Sequence, residues 1–206
     1  MHPDFSIEDS QPHAQIAGVD EAGRGPWAGP VYAAAVILDR ANLPEGLNDS
    51  KKLSPKKRAF LYDQIMQSAQ VGIGVANVAE IDALNILAAT FVAMERAVEA
   101  LPSAPDLALI DGNRTPQGLA VPSQTVVKGD ARSLSIAAAS IIAKVARDRE
   151  MEKLAEEFPH YGWHRNKGYG TKEHRVSLLQ HGPTPYHRHS FKPIHNMLYQ
   201  ENFLTR

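Results

Sequence analysis

Cysteine is absent from the 206 residues, so disulfides and thiolate metal sites are excluded from the outset. No HExxH pair is present to hold zinc through histidine. The first residues, MHPDFSIEDSQPHAQ, contain no basic region followed by an apolar one, so no signal peptide is read there. No apolar run is long enough for a membrane span; the longest, around residues 136–146, is interrupted by Ser140 and Lys144. Internal repeats, low-complexity tracts and a composition shift between domains are also missing. These absences lead to the expectation of a soluble, cytoplasmic protein with one domain, and 43% apolar with 22% charged residues is a globular composition.

Net charge is nearly absent too, at −1, but it is unevenly spread. Residues 1–127 carry 9 Lys and Arg against 15 Asp and Glu, whereas residues 128–206 carry 13 against 8 and seven of the nine histidines. An acidic half beside a basic half suits an enzyme that holds metal ions in one region and a polyanion in another, and it is equally compatible with ordinary surface variation.

Hydrophobic patterning predicts strands at 15–19, 31–38, 71–78, 107–110 and 124–127. Helices are expected at 55–68, behind Ser54 and Pro55, at 79–100, and at 131–158, with a short one near 172–180. Strands dominate early and helices late, so the class is α/β with a mixed sheet. The tail from Pro159, rich in Gly, Pro, His and Tyr, reads as an appendage or a flap.

Four acids stand at the ends of these elements. Asp20 and Glu21 close the first strand, in AGVDEAGRGPWAGP. Neighbouring strand residues face opposite ways, so two acids serving one site require the strand to stop or bulge, and Gly23 and Gly25 would permit that. Asp111 closes LALID, where Asp-Gly is also a turn signature. Asp130 precedes the long helix, where it would also serve as an N-cap. Together, four carboxylates without cysteine favour Mg²⁺ or Mn²⁺, and the matching chemistry is phosphoryl transfer with two ions about 3.5–4 Å apart.

Six stretches in order, GVDEAGRGPWAGPVYAAAVIL, LNDSKKLSPKKR, LIDGN, KGDARSLSIAAASIIAKVARDR, NKGYGT and HRHSF, resemble bacterial ribonuclease HII, the type 2 ribonucleases H. The resemblance covers nearly the whole chain. It implies a ribonuclease H-like fold: a central mixed five-stranded sheet flanked by helices, with a C-terminal helical appendage. It implies one catalytic domain over 1–206, the core at about 14–158 and the appendage at about 159–206. By resemblance, Asp20, Glu21, Asp111 and Asp130 are the catalytic, metal-binding acids, with two divalent ions, Mn²⁺ or Mg²⁺, as cofactors. The implied activity is endonucleolytic. It would cut the RNA strand of an RNA–DNA hybrid and the 5′ side of a ribonucleotide embedded in duplex DNA, leaving 3′-hydroxyl and 5′-phosphate ends. Those nucleic acids are the expected partners, with no membrane and a monomeric chain.

The resemblance also assigns recognition. Gly23, Arg24 and Gly25 would sense the ribose 2′-hydroxyl through backbone groups, the mark that separates RNA from DNA. Tyr169, between two glycines, would stack on the sugar of the following nucleotide. Lys51, Lys52, Lys128 and Arg132 are candidate phosphate contacts or solvated surface. His187 and His189 read as structural or phosphate-side residues, since two histidines without a third ligand make a poor metal site. Lys144 and Asp148, four apart, would pair on the long helix. Two rivals share the fold. A type 3 ribonuclease H carries an additional N-terminal domain, whereas about fourteen residues precede the first strand here. A non-catalytic nucleic-acid-binding module would have no need of the four acids. The terminal ENFLTR reads as a docking tail or a frayed end.

Overall fold

Runs of Val, Ile and Ala too short for a core helix become the strands of one sheet. The computed structural model describes residues 2–199, so ENFLTR lies outside the described residues. The strands are β1 (Ile16–Ala22), β2 (Val31–Leu38), β3 (Ala69–Ala76), β4 (Leu107–Asp111) and β5 (Ser123–Val126), in the order β3-β2-β1-β4-β5. β1 pairs antiparallel with β2, and β2 with β3, while β1–β4 and β4–β5 are parallel. The sheet is therefore mixed and five-stranded, as expected.

The helices are α1 (Ser6–Asp9), α2 (Pro55–Ser68), α3 (Val78–Leu84), α4 (Ile86–Glu99), α5 (Leu134–Glu157), α6 (Trp163–Asn166), α7 (Lys172–His181) and α8 (Lys192–Tyr199). Alternation along the strands divides them between two layers. Ala17, Val19, Ala33, Ala35 and Ile110 pack on one face against Ala89, Ala93 and Ala97 of α4. Ala34 and Val36 point the other way, onto Leu61 and Ile65 of α2 and the alanine-rich stretch of α5. Small residues bring α5 against the sheet: a Cβ on Gly18 would lie 2.1 Å from the Ser135 carbonyl carbon. Among the described residues, no helix is long and apolar enough to cross a membrane.

Besides shifts of one to three residues at strand ends, three features differ from the sequence reading, each for a local reason. β1 neither stops nor bulges at the acids. It runs through both, with Asp20 opposite Ala34 and Glu21 opposite Ala33, and the chain turns only at Gly23, whose φ is +102°. The expected helix over 79–100 is two helices. Asn85, at φ +71°, breaks it, and its side chain accepts from the Leu87 and Ala88 amides to start α4. The long helix begins at Leu134 rather than Ala131, capped by Ser133, which accepts from Ile136 N at 3.2 Å. Beyond α5, Tyr161, Trp163, Leu178 and Ile194 pack with Met151, Leu154 and Ala155 into an apolar cluster, so the tail is built onto the long helix.

Candidate active site

The carboxyl ends of the parallel strands β1 and β4 lie side by side, and the turn after β5 approaches them. Gly18 meets α5 while Ala17 and Val19 face α4, so the alternation sends Asp20 to the α5 side and Glu21 to the α4 side. Leu109 packs with Ile136 of α5, so Asp111 shares the Asp20 side. Asp130 sits in a 3-10 turn, Gly129–Ala131. That turn is held by the Gly129 amide, which donates to Asp111 Oδ1 at 2.7 Å. Because Ser133 takes the capping role, the Asp130 carboxylate stays free of the helix. Asp20, Asp111 and Asp130 bring carboxylate oxygens within 4.8 Å of one another.

Such a cluster is electrostatically costly without a cation. Burial pushes the Asp20 carboxyl well above its usual range, and the charges of Glu21 and Asp111 push it further. Burial raises Asp111 too, helped by the Asp130 charge. One compensating charge comes from Lys51, whose Nζ lies 3.2 Å from Asp130 Oδ2. Lys51 is placed by its own turn: Asp49 Oδ1 accepts from its amide at 2.9 Å, and the Ser50 amide donates to Ser140 Oγ of α5 at 3.1 Å. Three desolvated carboxylates with oxygens converging are a donor set that fits a hard divalent cation. Asp20, Asp111 and Asp130 would hold it.

Glu21 stands apart from this trio. It contacts Arg24 at 3.3 Å, and burial outweighs that arginine, so its carboxyl is also raised. It opens on a cleft of about 330 Å³ that Asp111, Asn113 and Arg114 also line. The structure thus brings three of the four acids together and sets the fourth beside them across the sheet edge.

The Gly-Arg-Gly segment begins where β1 ends. A Cβ on Gly23 would lie 2.0 Å from Arg147 Nε, which excludes any side chain there. Behind the loop are two wholly buried arginines. Arg188 donates to the carbonyls of Gly23, Arg24, Pro26 and Gly29 at 2.6–3.0 Å, and Arg147 to those of Ala28, Pro30 and Lys167 at 3.0–3.1 Å. Neither forms an ion pair among the described residues. Burial pulls Arg147 down to about 10 and Arg188 to about 9, so both still carry charge at neutral pH. Arg188 thereby holds the carbonyls of Gly23 and Arg24 inward.

Tyr169 is 47% exposed on the 167–171 loop. A Cβ on Gly25 would lie 3.4 Å from its ring, and the Trp27 amide donates to Gly168 O at 2.8 Å, so the two loops adjoin. Lys52 is exposed beside Lys51, and Lys128, at φ +55°, is exposed just before Gly129. Arg132 donates to Val127 O at 3.3 Å. His187 is buried against His174, while the His189 amide donates to Asp82 at 2.9 Å, so the two histidines do not converge. Lys144 and Asp148 pair at 2.7 Å, away from the acids. Sequence reasoning missed Arg147, Arg188, Asn113, Arg114 and Ser140. The two arginines lie within VARDR and HRHSF, but nothing in a sequence distinguishes an arginine that binds only carbonyls.

A family model described as Ribonuclease HII matches residues 17–194, which contain every acid and loop just described. The chain belongs to the ribonuclease HII family. A ribonuclease HII from Ruegeria sp. (strain TM1040) is 60% identical over 203 residues, covering 97% of this chain and 89% of its own. One from Magnetococcus marinus is 63% identical over 185 residues, covering 89% and 87%. Among solved structures, the ribonuclease H2 of Pyrococcus horikoshii OT3 superimposes with a TM-score of 0.75 at 27% identity, over 92% of this chain and all of that one. The ribonuclease HII family gives the sheet its ribonuclease H-like fold and makes this chain a nuclease.

Proposed function

We propose that this ribonuclease HII cuts the RNA strand of RNA–DNA hybrids, incises duplex DNA on the 5′ side of an embedded ribonucleotide, and does both with two divalent ions. The observation that carries the reading is adjacency. Three converging carboxylates, Asp20, Asp111 and Asp130, end where the Gly23–Gly25 loop begins, with the Tyr169 ring against that loop. A scissile phosphate beside the acids puts its neighbouring ribose at the glycines.

When bound, Mg²⁺ or Mn²⁺ supplies a polarised water and charge stabilisation at the phosphate. The residues of this chain do the rest. Asp20, Asp111 and Asp130 would hold the cations, and Glu21 would supply a fourth carboxylate from the opposite side of the strand. Gly23, Arg24 and Gly25 present backbone groups to the 2′-hydroxyl, both a donor and an acceptor, while Arg147 and Arg188 hold the loop from behind. Tyr169 offers a flat ring to the next sugar, where a deoxyribose packs better than a ribose. Lys51, Lys52 and Lys128 face the phosphate backbone as point charges. In the reaction, water oxygen bonds to phosphorus and gives up a proton to solvent as the bond to O3′ breaks, and the departing O3′ takes a proton from solvent. The products are a 3′-hydroxyl and a 5′-phosphate.

The test is a DNA duplex with one ribonucleotide, incubated with Mg²⁺, Mn²⁺, Ca²⁺ or excess chelator. The reading predicts a single cut 5′ of the ribonucleotide with Mg²⁺ or Mn²⁺ and none with chelator. Ca²⁺ should support binding without turnover, because it tolerates irregular coordination. Cleavage in chelator, or equal cleavage of an all-DNA duplex, would refute it.

A further inference from the structure

The cluster beyond α5 contains two wholly buried histidines, His174 on α7 and His187, with no acid bonded to either among the described residues. Their hydrogen bonds run in one direction. The Thr184 amide donates to His187 Nδ1 at 2.8 Å, so that nitrogen is an acceptor and the ring proton sits on Nε2. His187 Nε2 lies 3.0 Å from His174 Nε2, which also accepts from Trp163 Nε1 at 3.2 Å. Indole is a donor only, so the His174 proton is left on Nδ1, 3.0 Å from the Tyr169 carbonyl oxygen. A backbone N–H at one end and a backbone carbonyl at the other thus select the tautomer of both rings.

We infer that His174, oriented by His187, is a positioning residue for Tyr169, holding its peptide so that the ring stays against the Gly25 loop. The inference rests on reading Tyr169 as the residue that stacks on the sugar. Tyr169 is the sugar-facing group that stands on the appendage, and its loop is also tied to Trp27 through Gly168 O and to Arg147 through Lys167 O, neither of which touches the Tyr169 carbonyl itself. The Thr171 amide donates to the Tyr169 carbonyl at 2.8 Å, and the Tyr169 amide donates to Asn166 O at 2.9 Å. The relay adds a tie from that loop to α7 and to the 184–188 turn, whose Arg188 grips the Gly23 loop. Both recognition loops therefore share one buried anchor.

Neutrality is built into the arrangement. A proton on His174 Nε2 would meet two N–H donors, and one on His187 Nδ1 would displace Thr184. Burial lowers His174, and burial together with His174 lowers His187 to about 3. The ionisable groups around the pair are few. Glu173 favours a charged His174 but is paired with Arg165, and His189 opposes a charged His187. Arg175 lies over Trp27, and His181 stacks on His160 and meets the edge of Tyr161. Trp27, Tyr161 and Trp163 wall the two rings, with centroids 5.0–6.1 Å from them.

Two substitutions separate the halves of the His174 ring. His174→Asn places an amide near the Nδ1 position and keeps a donor for Tyr169 O, whereas His174→Gln places one near Nε2 and keeps an acceptor for Trp163. The readout is kcat/KM on a single-ribonucleotide duplex divided by kcat/KM on a continuous hybrid, beside the thermal midpoint. His174→Gln should lower that ratio about three- to tenfold, the worth of one hydrogen bond, and His174→Asn should retain it despite a lower midpoint. Adding His174→Gln to Tyr169→Ala should change the ratio no further. Equal losses in both variants that follow the midpoint would overturn the inference. If Tyr169→Ala lowers the ratio and His174→Gln does not, the relay alone fails; if Tyr169→Ala leaves it unchanged, the stacking reading fails and the relay with it. Should neither variant fold, long-range ¹H–¹⁵N spectra of the native chain decide. A neutral pair at pH 6, protonated on His174 Nδ1 and His187 Nε2, supports the relay, and a charged ring or the opposite tautomers contradicts it.

Discussion

Asp20 shows at the scale of one residue why this site asks for cations. Its carboxylate is buried, accepts one hydrogen bond from the Glu21 amide at 2.7 Å, and faces two other acids. A carboxyl raised in the folded state takes up protons on folding. The chain without metal therefore loses stability as pH climbs from the ordinary carboxylate range through the raised value of Asp20. Asp20→Asn keeps the oxygen that accepts from Glu21 and removes the charge. In chelator at neutral pH, its melting midpoint should exceed that of the native chain by about 2–4 °C for each kcal/mol of relieved repulsion. The gain should vanish toward pH 3, and calorimetry across that range checks it. Tyr169 is the second residue whose role is separable. Tyr169→Ala should cost about 1–3 kcal/mol on single-ribonucleotide duplexes and less on continuous hybrids, read from kcat/KM on the two. Equal losses would make it a general positioning residue, and no loss would leave it a surface tyrosine without a part in recognition.

At the scale of elements, much was legible because burial writes itself into pattern. The apolar run of β2 and the alanine crowding of α5 were readable as a buried strand and a closely packed helix. Strand ends carrying Asp111 and the pair Asp20–Glu21 were readable as one edge. The bulge expected at Asp20 was not found, because alternation already serves the site: one acid reaches the α5 side and the other the α4 side. Asn85 hid the break between α3 and α4, since apolar spacing continues through a residue whose side chain caps the Leu87 and Ala88 amides. Gly18 ties packing to the site. Gly18→Ala forces a methyl into the α5 backbone beside Ser135 and should cost about 3 kcal/mol or more, at the upper end of overpacking. It should also move the turn that carries Asp130. Chemical denaturation measures the first effect and metal titration the second.

For the whole molecule, function depends on what lies far apart in sequence. The histidine pair, the two carbonyl-binding arginines and the packing of the tail on α5 join segments more than a hundred residues from the Gly23 loop, and no local pattern marks such contacts. The charge asymmetry was legible, and it predicts strong salt dependence despite a net charge of −1. Binding to a junction duplex in Ca²⁺ should weaken steeply with added KCl. Lys52→Ala or Lys128→Ala should each flatten the log–log slope by about one unit. An unchanged slope would return that lysine to the solvated surface.

The central claim is that the acids at the sheet edge hold the ions that cut. Asp111→Asn tests it most directly, because it retains shape and an oxygen to accept from Gly129 while removing one charge. Incision of the single-ribonucleotide duplex with Mn²⁺ is measured beside the native chain, and binding is measured in Ca²⁺. The account predicts a rate lower by orders of magnitude with binding retained. Near-normal turnover by Asp111→Asn would contradict it and leave Asp111 as a turn residue.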